Sequence, residues 1–226
     1  MDPYRTALFL HVAAGGVSLL SFWTAAVLRK GSERHRRAGD VYLLAMVGVV
    51  ATGVPLAHSL LERGHPVSAM FLGFLLVLVS HSCWVAWRAI RDRTDPSRFY
   101  GPVYWLLAGT CAIGGAGIVA VGFATSTIIL QAFGAVGLMA GLGSLRSWRR
   151  WRTGRVAANW WLREHYGAIL GGGVATHIAF LGIGLRNALP FIEPQVQQLL
   201  AWLGPLAVAI VVGTYLDRKH ARPARL

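Results

Sequence analysis

Seven apolar runs, each of about the 20 residues that a membrane-spanning helix needs, constrain this chain more than any other feature. They lie near residues 6–28, 41–61, 68–87, 102–123, 125–145, 164–185 and 196–216. Because backbone polar groups in lipid must be satisfied within their own segment, every run is expected to be a helix. We therefore predict an all-α, polytopic, seven-transmembrane helix bundle, with residues 1–226 forming one transmembrane domain.

The positive charge of the chain is concentrated in alternate loops. Charged residues make up only 14% of the chain, against about 25% in a typical soluble domain, yet the formal net charge is +13. Of the 22 lysines and arginines, 19 lie in residues 29–40, 88–98, 146–163 and the tail from Asp217. This asymmetry predicts an N-terminus outside and a C-terminus in the cytoplasm. Anionic lipid headgroups at the cytoplasmic face are then sufficient partners, so no nucleic acid is expected and a protein partner stays unidentified.

The nine carboxylates all lie in loops or at the ends of the apolar runs. That placement argues against a proton relay or a cation pathway built on buried carboxylates. It also argues against an oxygen-rich magnesium or calcium site. The third run, apart from His81 and its neighbours Ser80 and Trp84, has the plain apolar character of a lipid-facing helix.

Histidines, unlike the carboxylates, occur within the apolar runs. A helix rises about 1.5 Å per residue, so the predicted topology assigns each histidine a depth. The depths define an outer layer of His11, His58 and His177 and an inner layer of His35, His81 and His165. His165 and His177 are about 18 Å apart along one helix, so one bound atom cannot contact both. The three glycines at 171–173 lie between the two levels, where small residues admit a neighbouring helix or a flat ligand.

Two cofactor functions compete for these histidines. The first is haem b, held by imidazoles from facing helices and used for transmembrane electron transfer. We expect His11 and His177, with His58 at the same level, to approach each other across a small-residue pocket and hold the haem. Haem ligation by histidine needs no buried carboxylate, and the candidate ligands occur one per helix at each level.

The second function is a zinc or copper site in a membrane hydrolase, sensor or transporter, because imidazole suits both metals. A catalytic zinc ion takes three protein ligands and keeps an open position, and either histidine layer supplies that number. We expect an inner site to be a loop-capped metal or polar site of His35, His81 and His165, with Glu164 as a base. The third function is that of a cofactor-free membrane scaffold, because a histidine in a span often only hydrogen-bonds a neighbouring helix. Whether the chain is an enzyme stays open.

The first two spans carry a recurrent motif. The sequence LHVAAGG at residues 10–16 is followed by RKGSERHRRAGDVYLLAM at residues 29–46. This resembles a bacterial family of predicted membrane proteins of unknown function, which pair H-x3-G in the first span with K-G-x3-H-R-x2-G before the second. The matching residues are His11, Gly15, Lys30, Gly31, His35, Arg36, Gly39, Val41, Tyr42 and Met46, and THIAF at residues 176–180 is similar too. The resemblance implies a polytopic helical protein, expected as a multi-pass protein of the bacterial inner membrane, and supplies no activity.

Overall fold

The computed structural model describes residues 2–155 and 157–220, which form eight helices and no strand. The helices are α1 (Pro3–Val27), α2 (Glu33–Glu62), α3 (Pro66–Arg91), α4 (Pro96–Phe99), α5 (Pro102–Ala124), α6 (Ile128–Arg152), α7 (Trp160–Ala188) and α8 (Pro194–His220). All except α4 are long and apolar enough to cross a membrane. The predicted all-α class and the seven candidate spans are confirmed.

Several helices extend beyond the apolar runs that predict them. Helix α2 begins at Glu33, well before the run at 41–61, because the Ser32 side chain accepts the backbone N–H of His35 and caps the helix. Helix α6 continues through a basic last turn to Arg152. Helix α4 is a single turn that the sequence does not predict, since it is too short to form an apolar run.

Helices α3 and α7 pack against each other at the centre of the bundle. Helices α1 and α2 form a close pair on one side, and α5 and α6 form a second close pair that reaches α3 through α5. Helix α8 packs on α7 and touches α6 at few points. The lipid-facing interpretation of the third span is therefore wrong, since α3 is central and buries Phe71, Phe74 and His81.

One end of the bundle gathers the basic loops, and we call it the basic end. It consists of residues 28–32, 92–101, 153–155 and 157–159 together with the last turns of α8. Contacts join the helix termini there: Arg163 at the start of α7 pairs with Asp217 near the end of α8. Side chains such as Leu20, Leu44 and Ile113, each more than two-thirds exposed, point away from the bundle and form its apolar outer surface.

Candidate functional site

Helices α3, α6, α7 and α8 enclose a cleft of about 550 Å³. Because α8 packs on α7 and touches α6 at few points, the cleft is open along the gap between α6 and α8. Its half distant from the basic end is lined by apolar side chains, among them Leu75, Phe133 and Leu206. The cleft therefore joins the interior of the bundle to the apolar outer surface.

Polar groups line the cleft toward the basic end. His81 and Ser82 of α3 come first, opposite Ser144 of α6. Arg150 and Glu164 follow at the basic end itself. The lining thus changes along the cleft from hydrocarbon through hydroxyl and imidazole groups to guanidinium and carboxylate groups.

A second cavity of about 370 Å³ lies at the basic end, next to the cleft. The residues that line both are Ser147, Arg150, Arg163 and Glu164. Tyr100 also lines this cavity, and burial, followed by the nearby Glu164 carboxylate, raises the pKa of its phenol. Tyr100 therefore stays a neutral hydrogen-bond donor at physiological pH.

The cavity at the basic end carries uncompensated positive charge. The Arg163 guanidinium pairs with Asp217, with 2.8 Å between Nη2 and Oδ2, and the Tyr166 hydroxyl donates to the other carboxylate oxygen at 2.5 Å. Within residues 2–155 and 157–220, Arg150, Arg155 and Arg218, which also line this cavity, form no ion pair. Three guanidinium groups without an ion-paired carboxylate make this cavity suited to an anion.

Glu164 lies where the two cavities meet. The Ser147 hydroxyl donates to its Oε1 at 2.6 Å across the contact between α6 and α7. The sequence places this carboxylate only at the end of a span, whereas in the structure it lies inside α7 and lines the cleft. It faces α6, while the neighbouring His165 contacts α3.

The three inner-layer histidines have separate partners. His81 lines the cleft, with Nε2 3.5 Å from Ser144 Oγ. His165 Nδ1 lies 3.0 Å from the Ala86 carbonyl oxygen and His35 Nδ1 lies 3.0 Å from the Ala25 carbonyl oxygen. Because a carbonyl oxygen only accepts, both Nδ1 atoms are donors in these contacts.

The outer-layer histidines also have separate partners. His177 uses both ring nitrogens: Nδ1 donates to the Gly173 carbonyl oxygen at 2.7 Å, and Nε2 accepts from Trp23 Nε1 at 2.9 Å. His11 Nδ1 contacts the Thr52 hydroxyl oxygen at 3.0 Å. His58 is exposed and lies 3.5 Å from Glu62 on its own helix.

Neither histidine layer forms a three-ligand cluster in the described part of the chain. No group of three or more His, Cys, Asp or Glu side chains there is arranged to hold a metal ion. To ligate iron, His177 would first have to exchange its Trp23 hydrogen bond for the metal. Haem b, zinc and copper binding therefore stay predictions.

Sequence reasoning missed the arginines and serines of this site. Arg150 and Arg155 belong to the basic stretch at 146–163, which predicts the topology and a general attraction to anionic headgroups but no cavity. Ser144 and Ser147 are one helical turn apart on α6, a spacing that places both on one helix face. That spacing was the available signal, but it does not indicate which helix the face meets.

Comparison of the chain with protein-family models, with curated proteins and with solved structures gives no significant match. The resemblance of the first two spans to a bacterial membrane-protein family stays a prediction.

Proposed function

We propose that this chain is a multi-pass membrane protein that binds a bilayer phospholipid with an anionic headgroup. The observation that carries the proposal is that the apolar cleft and the basic cavity adjoin and share the lining residues Ser147, Arg150, Arg163 and Glu164. An amphipathic anion needs this combination of surfaces: hydrocarbon along its chain and guanidinium groups at its headgroup.

The length of the cleft supports a lipid occupant. Along α6 the lining runs from Phe133 to Arg150, which is about 25 Å at the rise of an α-helix. One half of a bilayer hydrocarbon core is about 15 Å thick. The cleft is thus long enough for an acyl chain and the headgroup attached to it.

The open side of the cleft supports entry from the bilayer. A lipid that moves sideways between α6 and α8 exchanges one apolar environment for another, so chain transfer alone supplies little free energy. Binding then depends on the headgroup, where each charge-assisted hydrogen bond contributes about 1.5 to 3 kcal/mol. Arg150 and Arg155, which have no carboxylate partner among the described residues, are the proposed headgroup ligands.

We also propose that the basic end faces the cytoplasm of a bacterial inner membrane. The support is the concentration of 19 of the 22 lysines and arginines at that end of the predicted topology. Anionic headgroups of the cytoplasmic leaflet would then lie at the level of the basic cavity.

Binding is tested on the full chain purified in a neutral detergent, with phosphatidylglycerol and phosphatidylcholine as probes. We expect thermal stabilisation by phosphatidylglycerol and little by phosphatidylcholine. Arg150→Ala should weaken phosphatidylglycerol binding about 10- to 100-fold, the equivalent of one charge-assisted hydrogen bond. Arg186→Ala, at the opposite end of the bundle, is the matched control and should bind as the wild type does. Equal stabilisation by both lipids, or equal effects of both variants, would overturn the proposal.

Occupation of the cleft is tested by filling it. Gly143 lines the cleft, and a Cβ atom there would meet nothing within 4 Å, so a leucine side chain has room to enter. Gly143→Leu should reduce phosphatidylglycerol binding without loss of folding. Gly117→Leu is the control, because Gly117 is equally open but faces outward on α5. Unchanged binding in Gly143→Leu would place the lipid elsewhere.

The competing functions predicted from the histidines have their own measurement. Haem b would give the purified protein a Soret band, and zinc or copper would give a stoichiometric signal in elemental analysis. Ligation by His11 and His177 predicts that replacing either with alanine removes the Soret band. A protein with neither signal would leave the lipid-binding and scaffold functions as the alternatives.

A further inference from the structure

Glu164 is the carboxylate that the proposed lipid headgroup would meet. It lines both the cleft and the basic cavity, and Ser147 holds one of its oxygens. Charged and titratable groups that interact with it or line the same two cavities come from all the surrounding helices. They are His81 on α3, Tyr104 on α5, Arg150 on α6, Arg163 and Tyr166 on α7, Asp217, Arg218 and His220 on α8, and Tyr100 before α5.

The cations near Glu164 are unequally available to it. Arg163 is already paired with Asp217 at 2.8 Å. Arg163 and, less strongly, Arg150 interact electrostatically with Glu164, and of the two only Arg150 forms no ion pair in the described residues. An anionic headgroup that takes Arg150 would weaken the cationic surroundings of the carboxylate and place a second negative charge beside it. In a partly desolvated site such like-charge proximity strongly favours the neutral carboxyl form.

We infer that Glu164 is a proton-binding site coupled to the lipid: the anionic headgroup binds at Arg150 together with one proton on the Glu164 carboxylate. The inference rests on the proposed lipid-binding function and extends it to proton-coupled binding. One proton from solvent adds to the Glu164 carboxylate and gives one neutral carboxyl group, and no other bond is made or broken. The neutral carboxyl O–H becomes a donor, which a phosphate oxygen of the headgroup accepts, while the other carboxyl oxygen still accepts from Ser147.

Linkage sets the direction of the pH dependence. Because the bound state holds more protons than the free state, lipid affinity rises as the pH falls through the range in which Glu164 titrates. One coupled proton corresponds to a change of about tenfold in affinity per pH unit within that range. Phosphatidylglycerol is the suitable probe because its phosphodiester does not titrate near neutral pH.

The experiment counts protons during lipid binding. Phosphatidylglycerol is added to the full chain in weakly buffered detergent solution containing a pH-indicator dye. We expect uptake approaching one proton per lipid bound at a pH where the free carboxylate is ionised. In Glu164→Gln, lipid should bind without proton uptake and with an affinity that no longer depends on pH. Glu62→Gln, an exposed carboxylate at the opposite end of the bundle, is the matched control and should retain the uptake.

His220 is the sharpest alternative acceptor of the proton, since it lines the same cavity and its imidazole can take up a proton. Loss of proton uptake in His220→Gln, with uptake retained in Glu164→Gln, would overturn the assignment to Glu164. If the wild-type protein binds lipid without taking up a proton, the proposed coupling is wrong, whatever the variants show. Absence of phosphatidylglycerol binding at every pH would instead overturn the proposed function itself.

If Glu164→Gln fails to fold, Ser147→Ala provides a second variant. It removes one hydrogen bond from the ionised carboxylate, so the pH at the midpoint of the affinity change should move upward. An unchanged midpoint would contradict a role for Glu164.

Discussion

At the scale of single residues, the three glycines at 171–173 show how one helix accepts three neighbours. A Cβ atom at Gly172 would lie 2.6 Å from the Tyr42 hydroxyl oxygen, and one at Gly173 would lie 2.7 Å from Phe22. A Cβ atom at Gly171 would lie 3.2 Å from the Ser82 hydroxyl oxygen. Successive residues point about 100° apart on a helix, so α7 meets α3, α2 and α1 at one level. These glycines serve helix packing.

Gly172→Ala should destabilise the protein. The added methyl group would overlap the Tyr42 hydroxyl, and the Tyr42 side chain is only 2% exposed, so it has little room to move. Overpacking of this kind costs about 1 to 3 kcal/mol. The measurement is thermal unfolding in detergent, with Gly184→Ala as a control on the same helix, where a Cβ atom meets nothing within 4 Å. Equal unfolding temperatures for the two variants would contradict the close contact.

The histidines show why a polar residue in a span does not by itself reveal its role. Trp23 donates to His177, and the Ala86 carbonyl accepts from His165, yet each partner is more than 75 residues distant in the chain. Their identities depend on which helices are neighbours. The layer assignment from helix rise could not supply that information, because depth says nothing about direction around the bundle axis.

At the scale of elements, the K-G-x3-H motif builds the connection between α1 and α2. Lys30 Nζ donates to the carbonyl oxygens of Ala25 at 2.9 Å and Ala26 at 2.6 Å, and His35 also donates to Ala25. These bonds satisfy the free carbonyl groups at the end of α1. Burial of the Lys30 ammonium lowers its pKa. Gly31 makes the turn with φ of +78°.

Gly31→Ala should therefore destabilise this connection. A non-glycine residue in the left-handed region costs about 1 to 2 kcal/mol. Gly39→Ala is the matched control, since Gly39 is helical and open to a Cβ atom, and there alanine should be neutral or stabilising. Limited proteolysis in the 28–32 connection, together with thermal unfolding, measures the difference. If Gly31→Ala resists proteolysis as well as Gly39→Ala does, the strain argument is wrong.

The α5 and α6 pair depends on backbone contact. A Cβ atom at Gly134 would lie 2.7 Å from the backbone nitrogen of Val119, and one at Gly115 would lie 2.7 Å from the carbonyl oxygen of Gly134. Gly134→Ala should force the two helices apart at a cost of about 1 to 3 kcal/mol. Gly117→Ala, on the outward face of α5, should cost little, and thermal unfolding compares them. A Gly134→Ala protein as stable as the control would show that the helices cross at a greater distance.

At the scale of the whole molecule, the orientation of the bundle across the membrane is a prediction that a fusion reporter can measure. The distribution of basic residues predicts a cytoplasmic C-terminus and an external connection between α2 and α3. A fusion reporter placed after Leu226 should therefore behave as cytoplasmic, and one inserted at His65 should behave as external. The reverse pattern would invert the topology and place the basic cavity at the external face.

The amino-acid sequence by itself determined the helical class and the seven candidate spans. The physical reason is local: a long apolar run in lipid satisfies its backbone hydrogen bonds only as a helix, whatever its neighbours are. The capped connection between α1 and α2 is also local, because Ser32, Lys30 and Gly31 act on residues within one or two turns of themselves, although the apolar run at 41–61 does not predict it.

Only the tertiary structure decided the candidate site. Helices α6 and α8 are separated by α7 in the chain, and the cleft exists because α6 packs on α5 and α8 packs on α7 without closing on each other. The same packing brought Ser147 to Glu164, left Arg150 without a carboxylate partner among the described residues, and turned His165 away from the cleft. Apolar composition sets the depth and length of a helix in the membrane. It does not set the rotation of the helix about its axis or its neighbours, because every apolar face is equally compatible with lipid. Those choices depend on small residues and interhelical hydrogen bonds, whose partners are distant in the sequence.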